Sequence, residues 1–331
     1  MADWPFSFVS SKNHDIGCSV LSLFDRVYIE ISNICNLQCD FCPEVERTKK
    51  IMSLDLFTKI IDELVGLTRE VAFHLMGEPL AHPQLPFFLN HCQKVGMPVN
   101  LTTNGTLINV GSRQDAILNS SVRQINFSLQ SYAANYPDRS LDQYLSHLVD
   151  FSLRAEVERP DMYINFRLWN KGSKEDTLLD NRNYLDFIEN AFASKISNKV
   201  DVGFRKSMHL RNRIYIHFDS RFEWPKLDQP IRSQKGFCYG LRNHFGIHAD
   251  GTVVPCCLDK EAVLNLGKVD ANKESALSVL NALKSERARK IRDGFSQFRL
   301  TEELCQRCDF IKRFDKKVIG ARTKIEIDPS P

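Results

Sequence analysis

The chain of 331 residues is long enough for about two domains and for a core that needs no disulfide bonds. Hydrophobic residues at 43% and charged residues at 26% exclude wholesale disorder and a collagen-like chain. A net charge of +3 is too close to balance to indicate nucleic acid or a membrane as the partner of the whole protein.

Short β-forming runs alternate with helical patterns over the first two thirds of the chain. The first helix is expected after Ser53, an N-cap residue. Its buried face recurs at i, i+3, i+4 and i+7, at Phe57, Ile60, Ile61 and Leu64. Predicted strands are residues 27–31, 71–75, 98–103, 125–129, 163–168 and 214–218. Six strands with helical crossovers predict an α/β fold, a partial (β/α)6 TIM-like barrel with its functional residues after the strands.

A small cysteine-rich domain is expected after the barrel. A hairpin at residues 248–254, with Asp-Gly at its turn, would bring strand ends of this domain together. The predicted domain limits are an N-terminal extension at 1–23, the barrel at 24–223, a linker at 224–236, the cysteine-rich domain at 237–315 and a basic tail at 316–331.

The first thirty residues show no secretory signal, and no apolar run is long enough to cross a membrane, so a cytoplasmic location is expected. Thiols stay reduced in that compartment. The ten cysteines therefore indicate metal binding, catalysis or burial rather than disulfide bonds.

Three cysteines, Cys35, Cys39 and Cys42, form a C-x3-C-x2-C pattern in the loop after the first predicted strand. Three thiolates can hold one soft metal centre, but they leave a cubane iron-sulfur cluster one ligand short. Such an open iron site can bind a chelating small molecule, and Phe41 could cover an adenine ring beside it. On the residues alone, a zinc ion with a nearby His or Asp as fourth ligand is the alternative.

This cysteine loop, with an aromatic residue before its last cysteine, resembles the loop that defines the radical S-adenosylmethionine (radical SAM) enzymes. The resemblance implies that the methionyl amine and carboxylate chelate the unique iron of a 4Fe-4S cluster. One electron, from a donor such as flavodoxin or ferredoxin, then breaks the bond from sulfur to C5′. The resulting 5′-deoxyadenosyl radical abstracts hydrogen from an unactivated C–H bond, while the protein orients the reactants and excludes water.

Later loops also resemble the family. Gly77-Glu78-Pro79 follows the second strand, where the family binds the amino group of the methionyl part, although Met76 stands where a first glycine is common. Gly77 permits a close backbone approach, and the Glu78 side chain or neighbouring carbonyls can accept the ammonium protons. Taken alone, Gly-Glu-Pro is a turn; its place after a strand favours the binding role.

Three further elements complete the resemblance at the S-adenosylmethionine site. Thr103 and Asn104 open a Thr-Asn-Gly element after the third strand. Ser128 and Gln130 resemble a ribose-contacting Ser-x-Asp, with Gln130 in place of the acid. Arg167, in the fifth strand, could clamp the carboxylate of the cosubstrate, or it could equally be a surface-pairing arginine.

The second cysteine set consists of Cys238 and Cys256, followed far along the chain by Cys305 and Cys308. Four thiolates fit zinc and a 4Fe-4S cluster equally well on chemical grounds. The spacing resembles the SPASM auxiliary-cluster module of radical SAM enzymes, and its shortened Twitch version more closely. The resemblance implies a second, auxiliary 4Fe-4S cluster with four cysteine ligands. Such a closed cluster suits electron transfer better than substrate binding.

Cys257 lies beside a predicted cluster ligand. Its thiol could donate a hydrogen atom to a substrate radical, as a radical epimerase requires. It could also be a buried strand residue, or the true ligand in place of Cys256. Cys92, on an apolar helical face, is expected in the core.

The favoured function is a radical SAM oxidoreductase that dehydrogenates or epimerises a small polar molecule. One alternative is modification of a peptide or RNA. Basic stretches at 287–292 and 312–324 could contact RNA, but interspersed acids make a solvated surface the better interpretation. The other alternative is a zinc-stabilised binding protein without catalysis.

Overall fold

The computed structural model describes residues 23–170, 174–195, 207–220, 223–272 and 278–314. The predicted basic tail lies outside these ranges, as does all but the last residue of the predicted N-terminal extension. Among the helices of the described residues, none is long and apolar enough to span a membrane.

The strands of the described residues form a ten-stranded sheet. They are β1 (Arg26–Ile29), β2 (Val71–Phe73), β3 (Val99–Thr103), β4 (Val122–Ser128), β5 (Tyr163–Asn170), β6 (Ser207–Arg211), β7 (Ile214–Ser220), β8 (His244–Ile247), β9 (Thr252–Val254) and β10 (Gly267–Lys268). Strands β1, β2, β3, β4, β5 and β7 are parallel and adjacent in that order. They correspond to the six predicted strands, so the partial (β/α)6 barrel is confirmed.

Helices follow the strands, as βαβ crossovers require. They are α1 (Leu54–Leu64), α2 (Leu85–Lys94), α3 (Arg113–Leu118), α4 (Gln130–Asn135), α5 (Leu141–Glu158), α6 (Lys174–Phe192), α7 (Ser278–Leu283), α8 (Glu286–Ser296) and α9 (Glu303–Arg307). The Ser53 hydroxyl caps α1 by accepting a hydrogen bond from Leu56 N at 3.3 Å. The predicted apolar face of α1 is buried.

The cysteine-rich segment extends the barrel sheet at its β1 edge. Strand β8 pairs in parallel with β1, and β9 and β10 add antiparallel strands beyond it. The turn between β8 and β9 has Gly251 at φ +89°, where a Cβ would lie 2.2 Å from Val269 O. The sequence did not predict the pairing of β8 with β1, because β8 lies more than 200 residues further along the chain. It also missed β6, an antiparallel edge strand beside β7.

The barrel strands separate an apolar outer face from a polar inner face. Phe127 packs on Phe151 of α5, and Phe166 packs on Phe192 of α6. The alternate residues of the same strands, such as Asn126 and Asn165, line a cavity of about 1190 Å³. Barrel interiors are usually filled with branched apolar side chains, so this polar lumen leaves room for ligands.

Candidate active site

The first cysteine set lies in the loop after β1, at the edge of the cavity. Cys35 and Cys42 are exposed, and Cys39 is half-buried. Partial desolvation at the cavity edge raises the pKa of all three thiols, to about 12 for Cys42, and neighbouring thiols raise the pKa of Cys35 and Cys42 further. Asn135 Nδ2 donates to Cys39 Sγ at 3.2 Å, which orients that side chain. A bound metal centre would stabilise these groups as thiolates.

The thiol arrangement suits a polynuclear cluster. A structural zinc site takes four protein ligands, whereas this loop supplies three thiols. An iron-sulfur cube spreads its ligands over several irons and needs only thiolates, which are the donors present.

The loop after β2 packs directly on the loop that carries the first cysteine set. Gly77 has φ +76°, and a Cβ there would lie 2.2 Å from Ser32 O and 2.9 Å from Ile34 O. Glu78 N donates to Ile34 O at 3.0 Å. Only glycine permits this approach, so the predicted close contact of Gly77 is with the protein's own backbone.

Glu78 is a buried carboxylate that joins two loops. Its Oε1 accepts hydrogen bonds from Leu80 N at 2.8 Å and Thr103 Oγ1 at 2.6 Å, and its Oε2 accepts one from Asn104 N at 2.7 Å. Burial raises the pKa of Glu78, and these hydrogen bonds counteract the rise. The sequence did not show that this carboxylate is already bonded to the protein. Pro79 follows it and begins a short 3-10 helix, Pro79–Ala81.

The Thr-Asn-Gly element connects the end of β3 to the first cysteine set. Asn104 Nδ2 donates to Asn36 Oδ1 at 3.0 Å, and the Asn104 carbonyl accepts from Tyr144 Oη at 2.7 Å. Gly105 has φ +76°, and a Cβ there would lie 2.8 Å from Leu148 Cδ2. The structure therefore brings the predicted Thr103 and Asn104 to the cavity beside the cysteines.

The ends of β4 and β5 provide the opposite wall of the cavity. Ser128 pairs in register with Arg167, and Gln130 Nε2 donates to Trp169 O at 3.4 Å. The Phe41 and Trp169 rings lie 5.0 Å apart at 44°. Sequence analysis missed Trp169, although its position two residues after Arg167 on the inward face was the available signal.

The four predicted auxiliary cysteines come together at the β8 side of the cavity. After the larger effect of burial, the thiol of the adjacent Cys257 and those of Cys238, Cys305 and Cys308 each raise the pKa of Cys256. The Cys305–Cys308 knuckle is closed by a hydrogen bond from Cys308 N to Cys305 O at 3.3 Å. Four thiols on one side of the cavity would give a complete ligand set for a cluster.

Cys256 and Cys257 face different surroundings. Cys256 interacts electrostatically with Cys257 and with the other three thiols of the set. Cys257 interacts with Cys238 and Cys308, but also with Arg26 and Tyr28 on the inner face of β1. Cys257 therefore lies between the second cysteine set and the barrel lumen.

Comparisons with known families agree with these sites. The family model of the radical SAM superfamily matches residues 29–147, and the SPASM iron-sulfur cluster-binding domain matches residues 238–309. The first match contains Cys35, Cys39 and Cys42, and the second contains the whole auxiliary set.

One curated relative and two solved structures show the extent of the similarity. The chain is 34% identical over 86 residues to the tungsten-containing aldehyde ferredoxin oxidoreductase cofactor-modifying protein of Pyrococcus furiosus, covering 25% of this chain and 24% of that protein. BtrN in complex with AdoMet and 2-DOIA superposes with a TM-score of 0.53 at 14% identity, covering 88% of this chain and 94% of BtrN. Streptococcus suis SuiB bound to the precursor peptide SuiA superposes with a TM-score of 0.54 at 15% identity, covering 88% of this chain and 71% of SuiB.

The curated match spans only about a quarter of that relative, and the two structures share the fold at low identity. The fold, the two matched families and the two cysteine sets nevertheless agree. The chain is therefore a radical SAM enzyme with a SPASM-type iron-sulfur cluster-binding domain, and its cofactors are a 4Fe-4S cluster, S-adenosylmethionine and an auxiliary iron-sulfur cluster.

Proposed function

We propose that this enzyme is an oxidoreductase that removes hydrogen from a small polar substrate and passes an electron to its auxiliary cluster. The observation that carries the proposal is that both cysteine sets line one cavity, whose remaining wall is the polar inner face of the barrel. A substrate held there would lie between the two clusters. The cytoplasm, with flavodoxin or ferredoxin as electron donor, is the setting that we propose for it.

Each cofactor has a proposed set of residues. The catalytic cluster would be held by Cys35, Cys39 and Cys42, and the auxiliary cluster by Cys238, Cys256, Cys305 and Cys308, within an auxiliary domain at 237–315. S-adenosylmethionine would contact Phe41, Gly77, Glu78, Pro79, Thr103, Asn104, Ser128, Gln130 and Arg167. When bound, the cluster and S-adenosylmethionine supply the 5′-deoxyadenosyl radical.

The protein itself positions S-adenosylmethionine and shields the reaction from water. Gly77 and Glu78 fix the loop after β2 against the cysteine loop, and backbone carbonyls there would accept the ammonium protons of S-adenosylmethionine. Phe41 and Trp169 form an aromatic wall that excludes water from the reaction. The buried carboxylate of Glu78 acts through the loops it joins, so it is a positioning residue.

Incubation of anaerobically reconstituted enzyme with S-adenosylmethionine and dithionite tests the proposal. We expect about eight irons per chain and formation of 5′-deoxyadenosine. Small-molecule fractions of cell extract should then increase that formation, and a substrate should become oxidised by two electrons. Full iron loading without 5′-deoxyadenosine would contradict the proposal, and stimulation only by a peptide or RNA fraction would favour those alternatives.

Epimerisation is a second candidate, because Cys257 lines the cavity. Its thiol would give a hydrogen atom to a substrate radical, and an electron from the auxiliary cluster with a solvent proton would restore the resulting thiyl. Product formed in deuterium oxide would then carry one carbon-bound deuterium. The variant Cys257→Ala would still form 5′-deoxyadenosine but no epimer, whereas an unlabelled, oxidised product would exclude this route.

A further inference from the structure

The inner face of the barrel carries a ladder of side-chain amides across β3, β4 and β5. Asn126 Nδ2 donates to Asn100 Oδ1 at 2.7 Å. Asn126 Oδ1 accepts from Asn165 Nδ2 at 2.9 Å and from Gln124 Nε2 at 2.8 Å. These four residues line the cavity below the proposed S-adenosylmethionine site. Burying an amide costs free energy unless its hydrogen-bonding groups are satisfied, and apolar side chains would fill a barrel at a lower free energy. The ladder therefore requires an explanation.

The ladder leaves part of its hydrogen-bonding capacity unused. Asn126 uses both its amide nitrogen and its oxygen. Asn100 Nδ2, in contrast, is buried and has no hydrogen-bond partner among the described residues. Gln124 and Asn165 contribute only their amide nitrogens to the ladder. Donors and acceptors therefore remain side by side, as a ligand with both kinds of group would need.

Burial favours the neutral forms of three imidazoles and a phenol that line the lumen. Burial and nearby arginines lower the pKa of His74 to about 3 and that of His244 to about 4. Burial and Arg167 lower the pKa of His217 to about 4, although Asp219 opposes the shift. Burial raises the pKa of Tyr28 to about 12. These groups offer neutral hydrogen bonds.

Arg26, in the lower lumen, already has a counter-charge. Its Nε donates to Glu70 Oε1 at 2.6 Å. Arg167 lies higher in the lumen, level with Ser128, among the proposed contacts of S-adenosylmethionine. A phosphate or carboxylate bound at the ladder, below Arg167, would find a paired cation and incomplete hydration, so burying it would be costly.

We infer that the lower lumen binds the uncharged, polyhydroxylated part of the substrate, in the manner of a sugar or cyclitol ring. Hydroxyl groups both donate and accept hydrogen bonds, which matches the unused donors and acceptors of the ladder and of the imidazoles. The ladder crosses three strands about 4.8 Å apart, so it is about 10 Å wide, the size of one substituted ring. A peptide would need an extended groove or sheet edge. This inference rests on the proposed function and specifies its substrate class.

Ligand binding without turnover tests the inference. Anaerobically reconstituted enzyme with S-adenosylmethionine, but no reductant, is titrated with neutral probes (myo-inositol, glucose and sorbitol), with glucose 6-phosphate and with penta-alanine. Saturation-transfer NMR and thermal shifts report binding. We expect at least one neutral probe to bind, and Asn165→Ala to weaken it about tenfold through loss of a buried hydrogen bond. Asn109→Ala, the same change at an exposed site, should leave binding unaltered.

Three outcomes would overturn the inference: no binding by any neutral probe, tighter binding of the phosphate ester or the peptide, or equal effects of the two variants. A folding defect in Asn165→Ala would appear in its circular dichroism, and Asn165→Asp, with nearly the same shape, then replaces it with the same expectation. Formation of 5′-deoxyadenosine is measured separately. Its presence without polyol binding would reject the substrate class alone, and its absence would reject the proposed function.

Discussion

The two cysteine sets face one cavity but differ in number and burial. The first has three thiols on a loop, with Cys35 and Cys42 exposed. The second has four thiols, each at least half-buried. Burial and neighbouring thiols raise the pKa of Cys256 and Cys305 well above its usual range. In the proposed function, three ligands would leave a coordination position free and four would close it, so the difference would separate cosubstrate cleavage from electron transfer.

The largest effect should come from removing one ligand of the first set. We expect Cys42→Ala to lower 5′-deoxyadenosine formation at least about 10³-fold. A variant with alanine at Cys35, Cys39 and Cys42 together should lose no more, because the three thiolates act as a unit. Iron content should fall from about eight to about four per chain. The core residue Cys92 offers the control, since Cys92→Ala should keep both values. Retention of cleavage in Cys42→Ala would reject the assigned division of roles.

A ligand change in the second set should give the complementary result. We expect Cys308→Ala to lose about four irons while uncoupled 5′-deoxyadenosine formation stays within about threefold, because the two sites are separate ligand sets. Turnover of a substrate to its oxidised product should be lost. Iron analysis, electron paramagnetic resonance and product assays measure the three quantities. Equal loss of cleavage in Cys308→Ala would mean that the sets are not independent.

A backbone contact holds the first set in place. Gly77→Ala combines an unfavourable positive φ with a Cβ only 2.2 Å from Ser32 O. We expect a loss of about 4 kcal/mol in unfolding free energy, the sum of left-handed strain and forced displacement of the cysteine loop. Gly96 has φ +69° but no atom within 4 Å of its Cβ position, so Gly96→Ala should cost only about 1 kcal/mol. Similar costs for both variants would show that the contact is unimportant.

Local patterns in the sequence predicted much of this molecule. The spacing of Cys35, Cys39 and Cys42 and the six barrel strands are local features, because thiolate geometry and strand periodicity act over a few residues. The hydrogen bonds of Glu78 and the aromatic contact of Trp169 with Phe41 depend on tertiary placement. No local pattern encodes them, since they join loops that follow different strands.

The connection between the two cysteine-bearing regions is likewise long-range. Arg47, just after the first set, places Nη2 2.8 Å from Glu30 Oε2, and its Nε donates to Lys260 O at 2.6 Å. Glu30 also accepts from Ala249 N at 3.2 Å, and Glu261 accepts from Arg47 N at 3.1 Å. These contacts attach the loop of the first cysteine set to the cysteine-rich segment across more than 200 residues of sequence.

The smallest effect that we predict concerns this connection. Arg47→Met leaves the fully buried Glu30 carboxylate without its cation, and should cost about 3 kcal/mol of unfolding free energy at equal iron content. The exposed pair of Arg69 with Asp25, at 3.6 Å, is the matched control, and Arg69→Met should cost less than about 0.5 kcal/mol. The double variant Arg47→Met/Glu30→Met should regain part of the unfolding free energy that Arg47→Met loses, because neither charge of this pair remains buried. If the double variant were less stable than Arg47→Met, the cost would arise from packing of the loop rather than from the unpaired carboxylate.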